Sequence, residues 1–123
     1  MKLINLCPHP VCVQHANGET STIPSSGNAR VTVEAQLAGS VELEGHVVQV
    51  VEGLYGPVTG LPDATPNCAF IVSHMVRMAL PRRQDLLSPA EILRDAQGGI
   101  VACRMFERNR VARVNREVGG PRP

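Results

Sequence analysis

Four residues of the types that bind zinc stand close together near the start of the chain: Cys7, His9, Cys12 and His15. Zinc sites in proteins place four such ligands in a tetrahedron. The spacing Cys-x-His-x2-Cys-x2-His matches no common zinc finger or knuckle, and successive side chains of a strand point to opposite faces. We therefore predict no metal site and interpret the cysteines as small core residues. A metal-assisted phosphodiesterase built on these four residues is kept as a third functional hypothesis.

The motifs of the common hydrolase classes do not occur in the sequence. There is no Gly-x-Ser-x-Gly nucleophile elbow, no His-Glu-x-x-His zinc motif and no Gly-rich phosphate loop followed by Lys and Ser or Thr. Glu42 and Glu44 share one face of an alternating segment, which is typical of the solvated side of a strand. We therefore expect that the protein is not an enzyme and that it needs no cofactor.

The second half of the chain holds the residue types that bind a nucleotide-derived anion. Arginine forks pair with phosphate oxygens, aromatic faces stack on bases, and short polar groups hydrogen-bond to base edges. Arg104 is the most suggestive of them, because an arginine inside an otherwise apolar strand must face water or find a partner. The candidate ligand-binding residues are Arg104 and Arg94 for phosphate, Phe70 and Phe106 for stacking, and Arg77 and Ser73 at the pocket edge.

Structural explanations stay open for several of these candidates. Phe70 also fits a hydrophobic core, and Arg94 with Asp95 also fits a pair that stabilises a turn. Arg82 and Arg83, which follow the candidate helix, also fit a solvated surface. The sequence alone does not choose between these roles.

Charge is divided unevenly along the chain, whose 123 residues have the size of one domain. Residues 1–60 carry two basic and five acidic side chains, a net charge of −3, whereas residues 61–123 carry ten basic and six acidic, a net charge of +4. Eleven of the twelve basic residues are arginine, which suits bidentate acceptors such as phosphate, although a GC-rich genome produces the same bias. An anionic ligand is therefore expected in the second half.

The first half has the patterns of β-strands joined by turns. Asn17-Gly18 is a hairpin-turn signal, and Gly45 indicates either a bulge or a tight turn. Gly53, Gly56 and Gly60 indicate another short strand that ends at Leu61-Pro62. The other predicted strands of this half are Leu3–Cys7, Val11–Gln14, Ala29–Leu37, Val41–Glu44 and His46–Glu52.

Two short helices are predicted beyond residue 70. The apolar run Cys68–Val72 is typical of a buried strand, and it leads into a helix that Ser73 caps and Pro81 ends. Ser88-Pro89-Ala90-Glu91 combines a capping box with proline at the first helical position, which predicts a second helix through Leu93. The predicted fold class is α+β: a mainly antiparallel β-sheet with two short C-terminal helices.

The last part of the chain changes character after a predicted turn and the strand Ile100–Phe106. Residues 107–123 are rich in arginine, with valines at helical spacing, so we expect a basic C-terminal extension that is helical and then frayed. Residues 1–106 are predicted to form a single β-rich ligand-binding domain. A nucleic-acid-binding accessory protein that uses the basic extension is the second functional hypothesis.

Compartment and assembly also follow from composition. No run of apolar residues is long enough to cross a membrane, and the opening run Met1–Cys7 is too short for a secretion signal. We therefore expect a cytoplasmic protein with reduced cysteines. Only three aromatic residues are present, so the core is thin and burial against another subunit would stabilise it. A homodimer or higher homo-oligomer is predicted.

Several short motifs stand in a fixed order between residues 2 and 106. They are Asn5-Leu6-Cys7-Pro8-His9, Ser26-Gly27-Asn28-Ala29-Arg30-Val31, Gly60-Leu61-Pro62, Phe70-Ile71-Val72-Ser73, Ala79-Leu80-Pro81-Arg82-Arg83-Gln84-Asp85, Arg94-Asp95 and Cys103-Arg104. This set resembles a family of small phage and prophage proteins that includes the anti-Thoeris sponges, which sequester cyclic ADP-ribose signals. Cys7 stands where that family usually has Thr, and the extension after Phe106 has no family counterpart.

The resemblance implies a β-rich domain with short C-terminal helices, a homo-oligomer, and ligand pockets where protomers meet. It also implies binding without chemistry, so that a host effector is not switched on. The first functional hypothesis is therefore a phage-encoded anti-defence sponge for a nucleotide-derived immune signal of the cyclic ADP-ribose or cyclic oligonucleotide type. The base, ring size and linkage of that ligand stay open.

Overall fold

A computed structural model describes residues 1–111 of the chain. Within them the chain forms eight β-strands and one short helix. In chain order these are β1 (Lys2–Asn5), β2 (Val11–Gln14), β3 (Thr20–Ile23), β4 (Arg30–Leu43), β5 (His46–Thr59), β6 (Cys68–Ile71), α1 (His74–Ala79), β7 (Leu86–Arg94) and β8 (Ile100–Arg108). The prediction of a mainly β fold is confirmed.

Six of the strands form one mixed sheet in the order β1-β6-β7-β8-β2-β3. The pairs β1–β6, β6–β7 and β2–β8 are parallel, whereas β2–β3 and β7–β8 are antiparallel hairpins. Parallel neighbours need long crossover connections. Here the long excursion through β4 and β5 separates β3 from β6, and α1 connects β6 to β7.

The two edges of this sheet approach each other at one end. The fully buried Asn5 side chain at the end of β1 donates a 3.0 Å hydrogen bond to the Ile23 carbonyl at the end of β3. Its amide also donates to the His9 carbonyl, and its oxygen accepts from the Cys7 backbone N–H. Because a buried amide must satisfy its polar atoms, Asn5 holds the first strand, the following loop and β3 together.

The core consists of two clusters of buried side chains. One cluster lies under α1 and comprises Leu6, Ala29, Phe70, Val72, Val76 and Leu86. The other comprises Cys7, Val11, Ile71 and Cys103, with Val13, Ile23 and Phe106 packed against it. Successive residues of β6 contribute to different clusters, as expected of a strand that is buried on both faces.

The first predicted helix is confirmed. Ser73 is its N-cap, and its hydroxyl accepts a 3.2 Å hydrogen bond from the Val76 backbone N–H. The helix ends at Ala79, because Pro81 cannot continue it. Val76 and Arg77 lie on its buried face.

The prediction of a second helix at Ser88–Leu93 is wrong, since this segment lies within β7. Leu86 and Ser88 are buried at alternate positions, and β7 pairs with β8 from Leu87 to Arg94. The capping pattern favours a helix only locally, whereas the strand gains a full ladder with β8. β6 pairs with β7 only as far as Leu87, so Pro89 lies where no neighbour on that side needs its missing N–H.

Strands β4 and β5 form a separate two-stranded hairpin of 14 residues per strand, which we call the arm. Sequence patterns predicted four shorter strands here, the last of them ending at Leu61-Pro62. Gly45 forms a tight turn, not a bulge: Glu44 and Gly45 have φ values of 52° and 83°, as a two-residue hairpin turn with both central residues left-handed requires. The arm joins the body at its base, where Val31 and Val58 pack against the core under α1.

The end of β8 reaches into the predicted extension. Glu107 and Arg108 belong to β8, and Asn109 is buried. Residues 112–123 lie outside the described residues, and with them most of the predicted helix of the extension. In the part of the chain that is described, no helix has the length and apolar character needed to cross a membrane.

Candidate ligand-binding site

A row of three polar side chains crosses the sheet from β7 over β8 to β2. The antiparallel register of β7 and β8 sets Arg104 opposite Glu91, and the parallel pairing of Val13 with Cys103 sets Gln14 beside Arg104. Arg104 Nε donates a 3.3 Å hydrogen bond to Gln14 Oε1, and its Nη1 lies 3.6 Å from Glu91 Oε1. Arg104 therefore meets the condition for an arginine within a strand, since it faces solvent and has partners.

This row forms one wall of a cleft of about 440 Å³. Its lining residues are Gln14, His15, Ala16, Gly18, Glu91, Arg104 and Met105. The Arg104 side chain is 53 % exposed, and its two contacts use Nε and Nη1 of a group with five N–H donors. His15 Nε2 lies 2.7 Å from Ser21 Oγ at the rim. The cleft thus offers a cation with free donors next to the polar side chains of Gln14 and His15, a combination that suits a phosphorylated ligand.

Glu91 has a strained backbone in the middle of β7. Its φ of 52° lies in the left-handed region, which costs a residue with a Cβ about 1–2 kcal/mol. Backbone strain of this kind persists where the surrounding structure imposes it, and it is concentrated at functional sites. The strained residue is the one that lies opposite Arg104, so the strain coincides with the cleft.

A second cleft, of about 340 Å³, also lies along β7 and β8. Its walls are mostly apolar and consist of His9, Pro10, Val11, Pro89, Ile92, Ile100, Val101, Ala102 and Cys103. Apolar walls suit the flat face of a base, although no aromatic side chain lines this cleft. The β7–β8 hairpin therefore carries both a cationic and an apolar concavity.

Arg94, the other predicted phosphate ligand, lies at the turn of the same hairpin. Its Nη1 donates a 2.9 Å hydrogen bond to the Gly98 carbonyl, so it stabilises the turn. Arg94 pairs with Ile100, which is four residues from Arg104, roughly 13 Å along the strand. The two arginines thus share a hairpin, but they do not converge within one protomer.

The predicted pocket-edge residues Arg77 and Ser73 have structural partners. Arg77 is buried: its Nε donates to Ser88 Oγ at 2.8 Å, its Nη1 donates to Asn109 Oδ1 at 3.0 Å, and its Nη2 lies 3.2 Å from Glu107 Oε1. Ser73 caps α1. Arg77 holds α1 to the sheet, Ser73 stabilises the start of the helix, and neither residue lines the Arg104 cleft.

The two predicted stacking residues lie in or against the core. Phe70 is only 2 % exposed and belongs to the cluster under α1. Phe106 is half-buried and packs against the second cluster. The structure therefore brings Arg104 to a cleft and leaves the other five predicted ligand residues outside it.

The four zinc-type residues near the start do not converge. His9 Nδ1 lies 3.0 Å from the Pro10 carbonyl oxygen, and Cys12 Sγ lies 3.3 Å from Thr22 Oγ1. Cys7 is buried, and burial raises the pKa of its thiol above the ordinary value. Across residues 1–111, no three side chains of His, Cys, Asp or Glu are grouped so that they could hold a metal ion.

The motif Ala79–Asp85 contains an arginine–carboxylate pair that fixes the loop after α1. Arg83 binds Asp85 through two hydrogen bonds, of 2.8 and 2.7 Å, and its Nη2 also donates to the Pro62 carbonyl. The hydrogen bonds from Arg83 hold the pKa of the Asp85 carboxyl below its ordinary value. This arginine, expected on a solvated surface, joins the loop after β5 to the loop after α1.

Gln14 and Glu91 are not among the candidate ligand residues that the sequence indicates, and His15 is a candidate there only as a metal ligand. Glu91 was assigned to a helix cap, which concealed its place opposite Arg104. A charged residue within the apolar run from Leu86 to Leu93 was the signal that could have revealed it. Comparisons of the chain with family models, with curated proteins and with solved structures find no match. The functional argument therefore rests on the residues of this chain.

Proposed function

We propose that the protein binds a nucleotide-derived signalling anion and sequesters it without cleaving it. In this role it is a phage-encoded anti-defence sponge that acts in the host cytoplasm, with a signal of the cyclic ADP-ribose or cyclic oligonucleotide type as its ligand. The observation that carries the proposal is the half-exposed Arg104 in a polar cleft, next to a strained Glu91. The motif resemblance to the anti-Thoeris sponges supports the same ligand class.

The residues of the Arg104 cleft are suited to holding a phosphate group. Free N–H donors of Arg104 can pair with phosphate oxygens, and Gln14 keeps the guanidinium in position through its 3.3 Å contact. Glu91 is 3.6 Å from Arg104 and 46 % exposed, so this ion pair is weak and a more strongly charged phosphate can replace it. The residues thus form a site for an anion that is not required to react.

The binding free energy that a sponge needs implies a second subunit at the site. A hydrogen bond to a charged group contributes about 1.5–3 kcal/mol. A sponge that works at sub-micromolar concentration needs more than about 8 kcal/mol in total. One arginine in an open cleft falls short of this, so enclosure by another protomer must contribute the remainder. The proposed sponge is therefore a homo-oligomer.

The test compares the full chain with Arg104→Gln and with a matched control, Arg82→Gln, at an exposed arginine outside the cleft. Isothermal titration uses cyclic ADP-ribose, ADP-ribose, cyclic dinucleotides and pyrophosphate as probes, and mass spectrometry reads the ligand after heat release. We expect binding of at least one probe with its mass unchanged. Arg104→Gln should weaken it about tenfold or more, which corresponds to about 1.4 kcal/mol, and Arg82→Gln should not.

Three outcomes contradict the proposal. If the wild-type protein binds none of the probes, the proposed ligand class is wrong. If the Arg104→Gln variant binds with wild-type affinity, the Arg104 cleft is not the binding site. Recovery of a cleaved product replaces sequestration with the phosphodiesterase hypothesis.

The nucleic-acid hypothesis is tested by truncation after Val111. Truncation after residue 106 is unsuitable, because Asn109 is buried and its side chain donates hydrogen bonds to the carbonyls of Arg77, Leu80 and Arg83 at the end of α1. Retention on DNA that is lost when residues 112–123 are removed favours nucleic-acid binding. If the full chain and the truncated chain are retained equally, or if neither is retained, residues 112–123 do not bind nucleic acid.

A further inference from the structure

The arm exposes an unusual amount of apolar surface. Among the described residues it carries ten large exposed hydrophobic side chains, from Leu37 at 64 % and Val47 at 68 % to Val50 at 38 %. The ten are Val33, Leu37, Val41, Leu43, Val47, Val48, Val50, Val51, Leu54 and Tyr55. A two-stranded hairpin is at best marginally stable alone in water, and proteins rarely expose apolar patches beyond a few hundred Å². This arm therefore needs a covering surface.

A register shift distributes the apolar residues over both faces of the arm. The shift lies between Leu37 and Gly39, where Ala38 is the extra residue of a bulge. Before it, the opposed pairs Val33–Tyr55 and Leu37–Val51 are on one face; after it, the pair Val41–Val48 is on the other. Two-stranded ribbons twist strongly, and half a turn of twist would bring the two apolar halves to the same side.

The charge of the arm is opposite to that of the body. Residues 30–59 contain one basic and four acidic side chains, a net charge of −3. The other described residues, 1–29 and 60–111, contain eight basic and six acidic, a net charge of +2. Two arms packed on each other would bring like charges together, whereas an arm on a body brings opposite charges together.

The surface of the body that matches the arm is the β7–β8 hairpin. It exposes Ile100, Val101 and Met105 beside the exposed arginines Arg94 and Arg104. The hairpin also carries Glu91, Asp95 and Glu107, so its three basic and three acidic side chains cancel. Its exposed apolar side chains match those of the arm, and its net charge of zero does not repel the acidic arm as a second arm would. Within one protomer, β4 and β5 pair only with each other, whereas β7 and β8 belong to the six-stranded sheet. The arm and the β7–β8 hairpin of the same protomer therefore form no strand pairs with each other.

We propose that the arm of one copy of this chain docks on the β7–β8 hairpin of a second copy, and that the second copy's arm docks on the first in return. Fourteen residues at about 3.3 Å each make an arm of about 46 Å, and one face of its two strands presents on the order of 450 Å². The nine-residue strands β7 and β8 limit each contact to about 30 Å of the arm, or roughly 290 Å² per surface. Reciprocal docking then buries about 1,200 Å² over four surfaces, the lower end of the range for stable interfaces.

This association does not depend on the identity of any ligand, so its failure is distinguishable from failure of the proposed function. Because the Arg104 cleft lies on the hairpin that the arm would cover, docking also places the second copy beside the proposed anion site. The partner arm would then supply the enclosure that a single open cleft lacks.

The first test measures the mass of the full chain by sedimentation velocity. Leu37→Asp/Val51→Asp places two charges on an apolar pair of the arm, and Ser40→Asp/Gln49→Asp, its matched control, places them on a polar pair. We expect a dimeric or larger wild type, a monomeric Leu37→Asp/Val51→Asp variant and an associated control. A monomeric wild type, or an apolar-pair variant that associates like the wild type, overturns the proposal.

The second test identifies the docking surface by charge reversal. Glu42→Arg/Glu52→Arg reverses two acidic side chains of the arm, and Arg94→Glu/Arg108→Glu reverses two of the three exposed arginines of the β7–β8 hairpin, leaving Arg104 of the cleft in place. The Arg94→Glu/Arg108→Glu variant alone should be monomeric, because its arm and its hairpin are then both acidic. An equimolar mixture with Glu42→Arg/Glu52→Arg should associate, because the arm that carries the added arginines meets the acidic hairpin. If the arms instead pack on each other, the hairpin variant stays associated and the arm variant associates with wild type. That pattern contradicts docking on the hairpin.

Discussion

Replacement of Arg77 by methionine should destabilise the fold without acting through a ligand. The Arg77 side chain is 5 % exposed and has polar partners on three different elements. Nε donates to Ser88 Oγ on β7, Nη1 donates to Asn109 Oδ1 after β8, and Nη2 contacts His74 on its own helix. Methionine keeps much of the apolar stem but none of the donors, so the change isolates the polar network.

The magnitude follows from the partners that are left behind. Ser88 and Asn109 are buried, and each loses a donor, which costs about 1–3 kcal/mol per group. Glu107 is 56 % exposed, so loss of its ion pair contributes little. Part of the loss is offset, because burying the Arg77 guanidinium costs desolvation free energy that the methionine variant does not incur. We expect a net loss of about 2–4 kcal/mol in the free energy of unfolding, or roughly 10 °C in Tm for a domain of this size.

Urea denaturation followed by circular dichroism measures this change. Arg82→Met is the matched control, because Arg82 is an exposed arginine a few residues further along the chain. The control should unfold at the wild-type urea concentration. An Arg77→Met variant that unfolds together with Arg82→Met would refute the argument that the network holds α1 to the sheet. Unchanged stability with lost affinity would instead return Arg77 to the ligand role that the sequence suggested.

Two further predictions concern backbone space and pH. Gly60→Ala should lower the free energy of unfolding more than Gly98→Ala in the same urea assay. Both glycines have a positive φ, but only at Gly60 would an added Cβ collide with a backbone atom, the Asn28 carbonyl oxygen. Equal losses at the two positions would argue against that close approach. Since Arg83 lowers the pKa of Asp85, the pair's contribution is complete above the carboxyl's ordinary pKa of 3.8 and declines as the pH falls below it. The stability difference between wild type and Asp85→Asn should therefore be constant from neutral pH to about 4 and shrink at lower pH; a difference that grows in acid would contradict the assignment.

Local patterns were sufficient for several elements of the fold. β2 begins and ends where its short apolar run predicted, the Asn17-Gly18 turn joins β2 to β3, and Ser73 caps α1. In each case the interactions that form the element lie within a few residues of sequence. Such interactions are visible in the pattern of side chains itself.

The misassigned segment Ser88–Leu93 shows where local patterns fail. Its capping box is a genuine helix signal, but β8 offers the same backbone groups a ladder of hydrogen bonds. The three parallel pairs of the mixed sheet also could not be predicted from the sequence, because pairing between distant strands leaves no local pattern. For the same reason Glu91 could not be placed opposite Arg104 before the register of β7 and β8 was known.

The sequence by itself determined that this chain is mainly β, that its basic residues are concentrated in the second half, and that Arg104 interrupts an apolar strand. Only the tertiary structure decided which cations are available to a ligand. Gln14 and Arg104 are 90 positions apart in the chain, and Arg77 and Asn109 are 32 apart. An arginine is buried or exposed according to partners at such distances, and their approach is fixed by strand order and register, which composition and spacing do not encode.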